Sequence, residues 1–328
     1  MRAIHCVVYG EPKQLVLVDV PEPVPRPEEV LVAVEAAGLG YADALRARGA
    51  YQVKAPLPYV PGGEMAGRVV GLGPGVAAEW QGRAVLGIAP RGALAERIAV
   101  PVAALVQRPE RLGAEAAAGM IVNYGTAVHG LEERGCLRAG EIVLILGASG
   151  GVGLAAIDLA KALGATVIAA ASSAAKLAAC SARGADHTVD YSQPEWRKAL
   201  EAVLAGRPLT LVYDPVGGAY SETAFRCLAP GGRLLVVGFA AGEIPRIPLN
   251  LPLLKRASIV GVDWGGHQRA NPGAAQAELR RLVELVEAGT IHPAATTVYP
   301  LENTGEVLQS IVERRNLGKA VIRVASGP

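Results

Sequence analysis

The sequence predicts an α/β chain in which a doubly wound parallel sheet interrupts a smaller, strand-rich, barrel-like domain. Three observations carry this expectation. Strand and helix patterns alternate from about residue 121 to 262, a strand–glycine turn–helix run covers 142–153, and short β-type runs fill residues 1 to about 120. At 328 residues the chain exceeds one ordinary domain, and 51% hydrophobic against 19% charged residues fits a well-buried globule.

The first region reads as strands at Ile4–Val8, Leu15–Val20, Val30–Ala36, Gly67–Val70, Ala84–Ile88 and Ala93–Val100. Turn residues such as Gly10-Glu11-Pro12 and Pro21–Pro27 separate them. Gly71-Leu72-Gly73-Pro74-Gly75 looks like a glycine loop, but no helix pattern follows, so it is read as a turn between strands.

The middle region reads as strands at Ile142–Leu146, Thr166–Ala170, His187–Val189, Leu209–Tyr213, Arg233–Val237 and Ile259–Val262. Helices are expected at Val152–Leu163, Ala174–Arg183, Glu195–Leu204 and Tyr220–Cys227. Gly164 and Gly184 sit where left-handed C-terminal caps are wanted, and Ser192-Gln193-Pro194-Glu195 reads as a capping box. Six strands with crossover helices imply right-handed parallel connections. Beyond Gly265 come helices at Gly273–Ala288 and Asn303–Arg314 and β segments at Thr296–Tyr299 and Ala320–Val324. This tail is too short for a third domain and is expected to rejoin the first region. The expected boundaries are 1–121, 122–264 and 265–328.

Composition narrows the function. Net charge is +2, with basic residues spread along the chain, so no nucleic-acid partner is expected. Cys6, Cys136, Cys180 and Cys227 form no C-x-x-C pair, which argues against a structural zinc site or a redox dithiol and fits a reducing compartment. The N-terminus has no hydrophobic signal core, and the apolar run Ile142–Ile157 is short and broken by glycine. A cytoplasmic protein without a membrane span is therefore expected.

The run Ile142–Gly153 carries the chemistry. Ala148, Gly150 and Gly153 occupy the small-residue positions of a G-x-G-x-x-G fingerprint. Small residues there permit a sharp turn, close backbone approach to a pyrophosphate and close packing of helix on strand. The first amides of the following helix then face the phosphates. A dinucleotide site is expected. About twenty residues on, where an acidic side chain would hold an unphosphorylated ribose, stand Ala171-Ser172-Ser173-Ala174-Ala175-Lys176. With no carboxylate to repel a 2′-phosphate and Ser172, Ser173 and Lys176 to bind one, NADP(H) is favoured over NAD(H). One of these serines also suits a helix N-cap. Asp214-Pro215-Val216-Gly217-Gly218 and Gly238-Phe239 follow the fourth and fifth strands, at the expected crevice.

With these pieces placed, the chain resembles the medium-chain dehydrogenase/reductase superfamily, specifically its zinc-independent, zeta-crystallin-like quinone oxidoreductase branch. The motifs that carry the resemblance include Glu35–Asp43, Arg48-Gly49-Ala50-Tyr51, Pro58–Gly67, Tyr124-Gly125-Thr126-Ala127, Ala148–Gly153, Tyr213–Gly218, Val237–Ala240, Ile247–Asn250 and Gly318-Lys319. It implies a Rossmann domain inserted in a GroES-like catalytic barrel built from both chain ends, an active-site cleft, an NADPH-dependent reductase and a homodimer joined through cofactor-domain strands. By the same resemblance Ser149, Gly150, Gly151 and Val152 match the pyrophosphate turn and Lys176 the 2′-phosphate lysine. Tyr191 falls on the adenosine side, Gly238 and Phe239 on the nicotinamide side, and Tyr51 near the cofactor in the cleft; Asp214 and Lys319 complete the expected cofactor set.

Two departures matter. Zinc-dependent relatives carry a cysteine at the position of Gly40 and a His-Glu pair at Gly63-Glu64, and neither glycine can ligate metal, so no catalytic zinc is expected. The quinone reductases usually have asparagine where Gly40 stands. The expected reaction is hydride transfer to a quinone or similar conjugated carbonyl, with Tyr41 and Tyr51 as candidate proton or hydrogen-bond donors. Asp43 is expected to orient local backbone. Two alternatives stay open: a reductase of enals, enones or enoyl thioesters, and a non-catalytic NADPH-binding protein. The five histidines are read as scattered structural or surface residues.

Overall fold

The computed structural model of the chain describes residues 1–89, 91–293 and 296–324. They form two compact units. The first holds Met1–Val122, Asn271–Ala288 and the chain from Pro293 onward; the second holds Asn123–Ala270 and Gly289–His292.

The first unit begins with an antiparallel pair, β1 (Arg2–His5) and β2 (Val16–Asp19). β3 (Glu29–Leu39) is its longest strand. Nine of its eleven residues are uncharged, the exceptions being Glu29 and Glu35, and Val30, Val32, Val34 and Leu39 are buried, as a strand enclosed by neighbours requires. α1 (Tyr41–Ala47) follows at once, started by the Gly40 amide donating to Asp43 Oδ2 at 2.9 Å. Then come β4 (Glu64–Leu72), β5 (Ala84–Ile88), β6 (Arg97–Pro101), β7 (Leu105–Gln107) and α2 (Ala114–Val128). β4 ends before Gly73, and Gly75 takes φ 83° in the turn expected there.

In the second unit α2 runs on into a π-helical turn, His129–Arg134. The alternating pattern then appears as β8 (Ile142–Ile145), α3 (Gly151–Ala162), β9 (Thr166–Ala171), α4 (Ala174–Ala182), β10 (His187–Asp190) and α5 (Trp196–Leu204). It continues with β11 (Leu211–Asp214), α6 (Ala219–Cys227), β12 (Arg233–Val236), α7 (Asn250–Lys255), β13 (Ser258–Gly261) and α8 (Trp264–Ala270). All six strands pair in parallel in the order β10-β9-β8-β11-β12-β13, the doubly wound arrangement expected. Leu144, Ile168, Val212, Leu234 and Phe225 are buried together in its core. Gly164 and Gly184 cap their helices at φ 79° and 104°. The capping box at Ser192 does not form. The Asp190 carboxylate accepts both the Ser192 amide and hydroxyl, at 2.9 and 2.6 Å, and α5 starts only at Trp196.

α9 (Pro272–Glu287), β14 (Thr296–Pro300), α10 (Thr304–Val312) and β15 (Lys319–Arg323) return to the first unit, where β15 pairs antiparallel with β3 and parallel with β14. α8 and residues 289–292 go with the second unit, although the sequence reading leaves them to the C-terminal stretch. Trp264 explains the first of these: a Cβ on Gly125 would lie 2.3 Å from its indole, so the ring needs that bare backbone to seat α8.

The barrel expected of the first region is corrected. Its sheet is open, ordered β14-β15-β3-β4-β5-β7, with β6 on β3. One edge of β3 is divided, β6 pairing with Glu29–Ala33 and β15 with Ala36–Leu39, and the ladder ends at β14 and β7 among the described residues.

Candidate active site

Five of the loops singled out from sequence emerge at the C-terminal ends of the parallel strands, and the direction in which successive strands are added to the sheet reverses between β8 and β11. Ligands of open α/β sheets bind at such a switch point. After β8, Gly147 takes φ 57°, which turns the chain without a Cβ penalty. α3 starts at Gly151 behind an extended Gly150 that offers no side-chain cap. Its first-turn amides, beside the buried Ser149, are therefore available to an anion. Gly153 packs the helix onto the turn: a Cβ there would lie 2.6 Å from the backbone of Gly147 and Ala148.

At the end of β9, Ser173 caps α4 by accepting the Lys176 amide at 3.4 Å. Lys176 Nζ donates to Ser172 Oγ at 3.2 Å. A hydroxyl and an ammonium thus converge where the second strand meets its helix, with no acid beside them in that turn. This donor set fits a phosphate on the adenine ribose. Tyr191, just after β10, stacks obliquely on Tyr220 with ring centroids 4.6 Å apart. Gly238 and Phe239 follow β12, and Phe239 lies against Gly217, whose Cβ would meet its ring at 3.0 Å.

Asp214 closes β11. Its carboxylate is buried and accepts the amides of Val216 and Gly217 at 2.8 and 2.9 Å and the Ser221 hydroxyl. It shapes the β11 loop. Burial pushes its pKa up, opposed by those three donors.

The remaining predicted residues lie in the first unit. Tyr41 opens α1 and Tyr51 follows that helix, with the Arg46 guanidinium 4.6 Å above its ring. Arg46 Nη1 also reaches Asp43 Oδ1 at 3.3 Å. Asp43 organises local backbone, as expected, through the Gly40 amide. Lys319 is buried at 5% exposure and paired with Glu64, itself 2% exposed. Glu64 further accepts the Val122 amide at 2.7 Å. Burial drives the Glu64 carboxyl upward, and Lys319 pulls it back.

At the positions that the zinc-dependent relatives use for metal, a Cβ on Gly40 would lie 3.7 Å from Asp43 Oδ2 and 3.9 Å from Lys319 Nζ, and one on Gly63 would lie 3.5 Å from both the Ala89 carbonyl and Arg46 Nη1. Charged groups of both signs border the places where metal-ligating side chains would project. Neither Arg46 nor the Glu64–Lys319 pair was singled out as chemistry from sequence. Glu64 and Lys319 are 255 positions apart, and Arg46 is one of many arginines until its neighbours are known. The histidines are not all scattered either: the rings of His129 and His267 are 4.6 Å apart.

Comparisons with known proteins agree with this arrangement. Residues 26–110 match the alcohol dehydrogenase GroES-like domain, and residues 151–287 match the zinc-binding dehydrogenase family. The chain is 36% identical to quinone oxidoreductase-like protein 2 of Bos taurus, over 98% of this chain and 92% of that protein. It is 31% identical to the quinone oxidoreductase of Pseudomonas aeruginosa, over 98% of this chain and 99% of that one. Among solved structures, the quinone oxidoreductase of Thermus thermophilus, studied free and in complex with NADPH, superposes with a TM-score of 0.83 at 34% identity, covering 99% of this chain and 100% of that one.

Proposed function

The chain belongs to the quinone oxidoreductase branch of the medium-chain dehydrogenase/reductase superfamily, and on that premise we propose that it is a zinc-independent reductase moving a hydride from NADPH to a quinone or similar conjugated carbonyl. The observation that carries the coenzyme reading is the Lys176–Ser172 pair beside an uncapped, glycine-built helix start. Ser149, Gly150, Gly151 and Val152 hold the pyrophosphate, Ser172, Ser173 and Lys176 the 2′-phosphate, Tyr191 the adenosine side, and Gly238 and Phe239 the nicotinamide side. NADPH supplies the hydride when bound.

For the acceptor, we assign Arg46 to the oxygen that gains negative charge, with Lys319 held in place by Glu64 as the second cationic donor. Asp43 and the Tyr51 ring fix the guanidinium, so little reorganisation is needed as charge develops. The hydroxyls of Tyr41 and Tyr51 are the proton or hydrogen-bond donors in this scheme. A quinone that gains hydride becomes a hydroquinone anion, and water delivers the remaining proton. A dedicated carbon acid is then unnecessary, which suits the residues present better than reduction of an enal or enoyl thioester.

The partner we propose is a second copy of the chain. β13 is a sheet edge, with Ile259 at 42% exposure, and nearby stand Leu249, Leu253 and Leu254 at 82%, 76% and 75%. Such an edge invites strand addition. No helix among the described residues is long and apolar enough to cross a membrane.

The test is NADPH oxidation with benzoquinone, phenanthrenequinone, hexenal and a crotonyl thioester. Quinone turnover is expected. Arg46→Gln should lower kcat/KM for benzoquinone by roughly tenfold while the NADPH KM holds, the effect of losing one charged hydrogen bond. Turnover of enals without quinones overturns the acceptor, and tight NADPH binding with no turnover of any substrate overturns catalysis.

A further inference from the structure

We propose that His129, Glu133 and His267 form a binding site for a divalent transition-metal ion, zinc being the best chemical match, remote in sequence and in role from the residues assigned to hydride transfer. Each of the three offers one ligand atom, and these atoms all lie within 4.8 Å of one another. His129 Nδ1 is 2.7 Å from Glu133 Oε2, and the His267 ring faces the His129 ring at an interplanar angle of 32°.

The backbone explains how residues so far apart in the chain converge. His129 and Glu133 sit four positions apart in the π-helical turn after α2, a spacing that puts side chains on one face. Single-turn π segments are frequent at functional sites. That turn is rigidly seated, because Gly130 packs on Tyr213 so closely that a Cβ would approach its ring to 2.8 Å. His267 arrives on α8, which Trp264 pins against Gly125. Two independently anchored elements thus deliver one imidazole each, and the turn adds the carboxylate.

The donor set decides the class of ion. Two neutral imidazoles and one carboxylate suit zinc, cobalt or nickel, whereas calcium and magnesium call for oxygen ligands throughout. Zinc takes such ligands at roughly 2.0–2.2 Å, so the His129–Glu133 hydrogen bond gives way to the ion and the more distant groups draw in. The site is asymmetric. His129 has 7% of its side chain exposed and Glu133 44%, which leaves a solvent path for the ion and for the water that completes its shell. A bound ion would cross-link α8 to the turn ahead of β8 and stabilise the folded second unit by mass action. It uses neither Gly40 nor Gly63, so metal found in the purified protein is not by itself evidence for catalytic zinc.

The experiment uses full-length, untagged protein stripped with chelator, in a Cys136→Ser background that removes the exposed thiol. Cobalt is titrated in and followed by its visible absorption, then displaced with zinc, and thermal unfolding is recorded with and without zinc. One equivalent should bind, with a rise in the unfolding midpoint. His267→Ala and Glu133→Gln, checked for native circular dichroism, should each bind at least about tenfold more weakly, and His267→Ala should lose the midpoint rise. No cobalt spectrum in the Cys136→Ser protein, or equal affinity in all three variants, overturns the site. Glu133 is exposed, so the Glu133→Gln arm remains decisive if His267→Ala fails to fold.

Discussion

Lys176→Ala gives the sharpest test of the coenzyme reading. Lys176 Nζ lies 3.2 Å from Ser172 Oγ, and its own amide is held by Ser173. The ammonium is therefore already turned toward the end of β9, where a 2′-phosphate would lie. A unit charge pair about 4 Å apart in a surface-like medium attracts by about 4 kcal/mol before desolvation. Lys176 is only half-buried, so part of that is lost to hydration, and the measured range for a charged hydrogen bond, roughly 1.5–3 kcal/mol, is the better guide. This converts to a 10- to 150-fold rise, roughly, in the NADPH dissociation constant. NADH has no group at that position, and its affinity should change less than about twofold. Titration calorimetry with both coenzymes measures the difference directly, and the gap should narrow as salt is raised. Equal weakening of NADH and NADPH would mean that the side chain supports the fold of the turn, and the phosphate argument would fail.

Three other outcomes are expected. Gly153→Ala forces a methyl to within 2.6 Å of the Gly147 and Ala148 backbone, so it should destabilise the second unit by roughly 1–3 kcal/mol in urea unfolding and weaken NADPH binding with it. Glu141 is held down to about 2, chiefly by its hydrogen bonds to Arg233 and then by the Arg138 amide. Its folded-state pKa is depressed, so its contribution is present above the unfolded value near 4.5 and disappears as pH falls toward 2. Glu141→Gln should thus cost on the order of 2 kcal/mol at neutral pH and almost nothing near the acid end, read from unfolding at a series of pH values. Lys319→Met strands a buried carboxylate and should cost about 3–5 kcal/mol, while adding Glu64→Gln should recover much of it; a double variant as unstable as the single one would show that the pair is not coupled.

The sequence made the second unit legible because its signals are local. Apolar runs such as Ile142–Ile145, glycines at helix ends and the turn at 147–153 all act within a few residues of themselves. Elements without such signals were not foreseen. α1 spans seven residues, too few for a periodic pattern, and α2 is so rich in Ala and Gly that it shows no polar face. α7 and α8 are equally short. The capping box at Ser192 misled because an acid two positions earlier competes for the same hydrogen bonds. Of the candidate site, the coenzyme turn was readable, since its chemistry is written in consecutive residues. The partners of Lys319, Arg46 and His267 were not, because each depends on a contact that only the folded chain creates.

The division of β3 between partners has a consequence for how the protein is made. Its upper edge is completed by β15, whose residues 320–323 pair with 36–39. During synthesis the first unit must therefore wait, its central strand half-covered, until residues 320–323 have been made. The parallel sheet, whose strands all lie between residues 142 and 261, has no such dependence and is free to assemble while the ribosome still holds the tail. A ribosome stalled between the codons for residues 261 and 320 would leave an assembled nucleotide-binding module attached to an unfinished partner, with Leu39 and its neighbours open to chaperones.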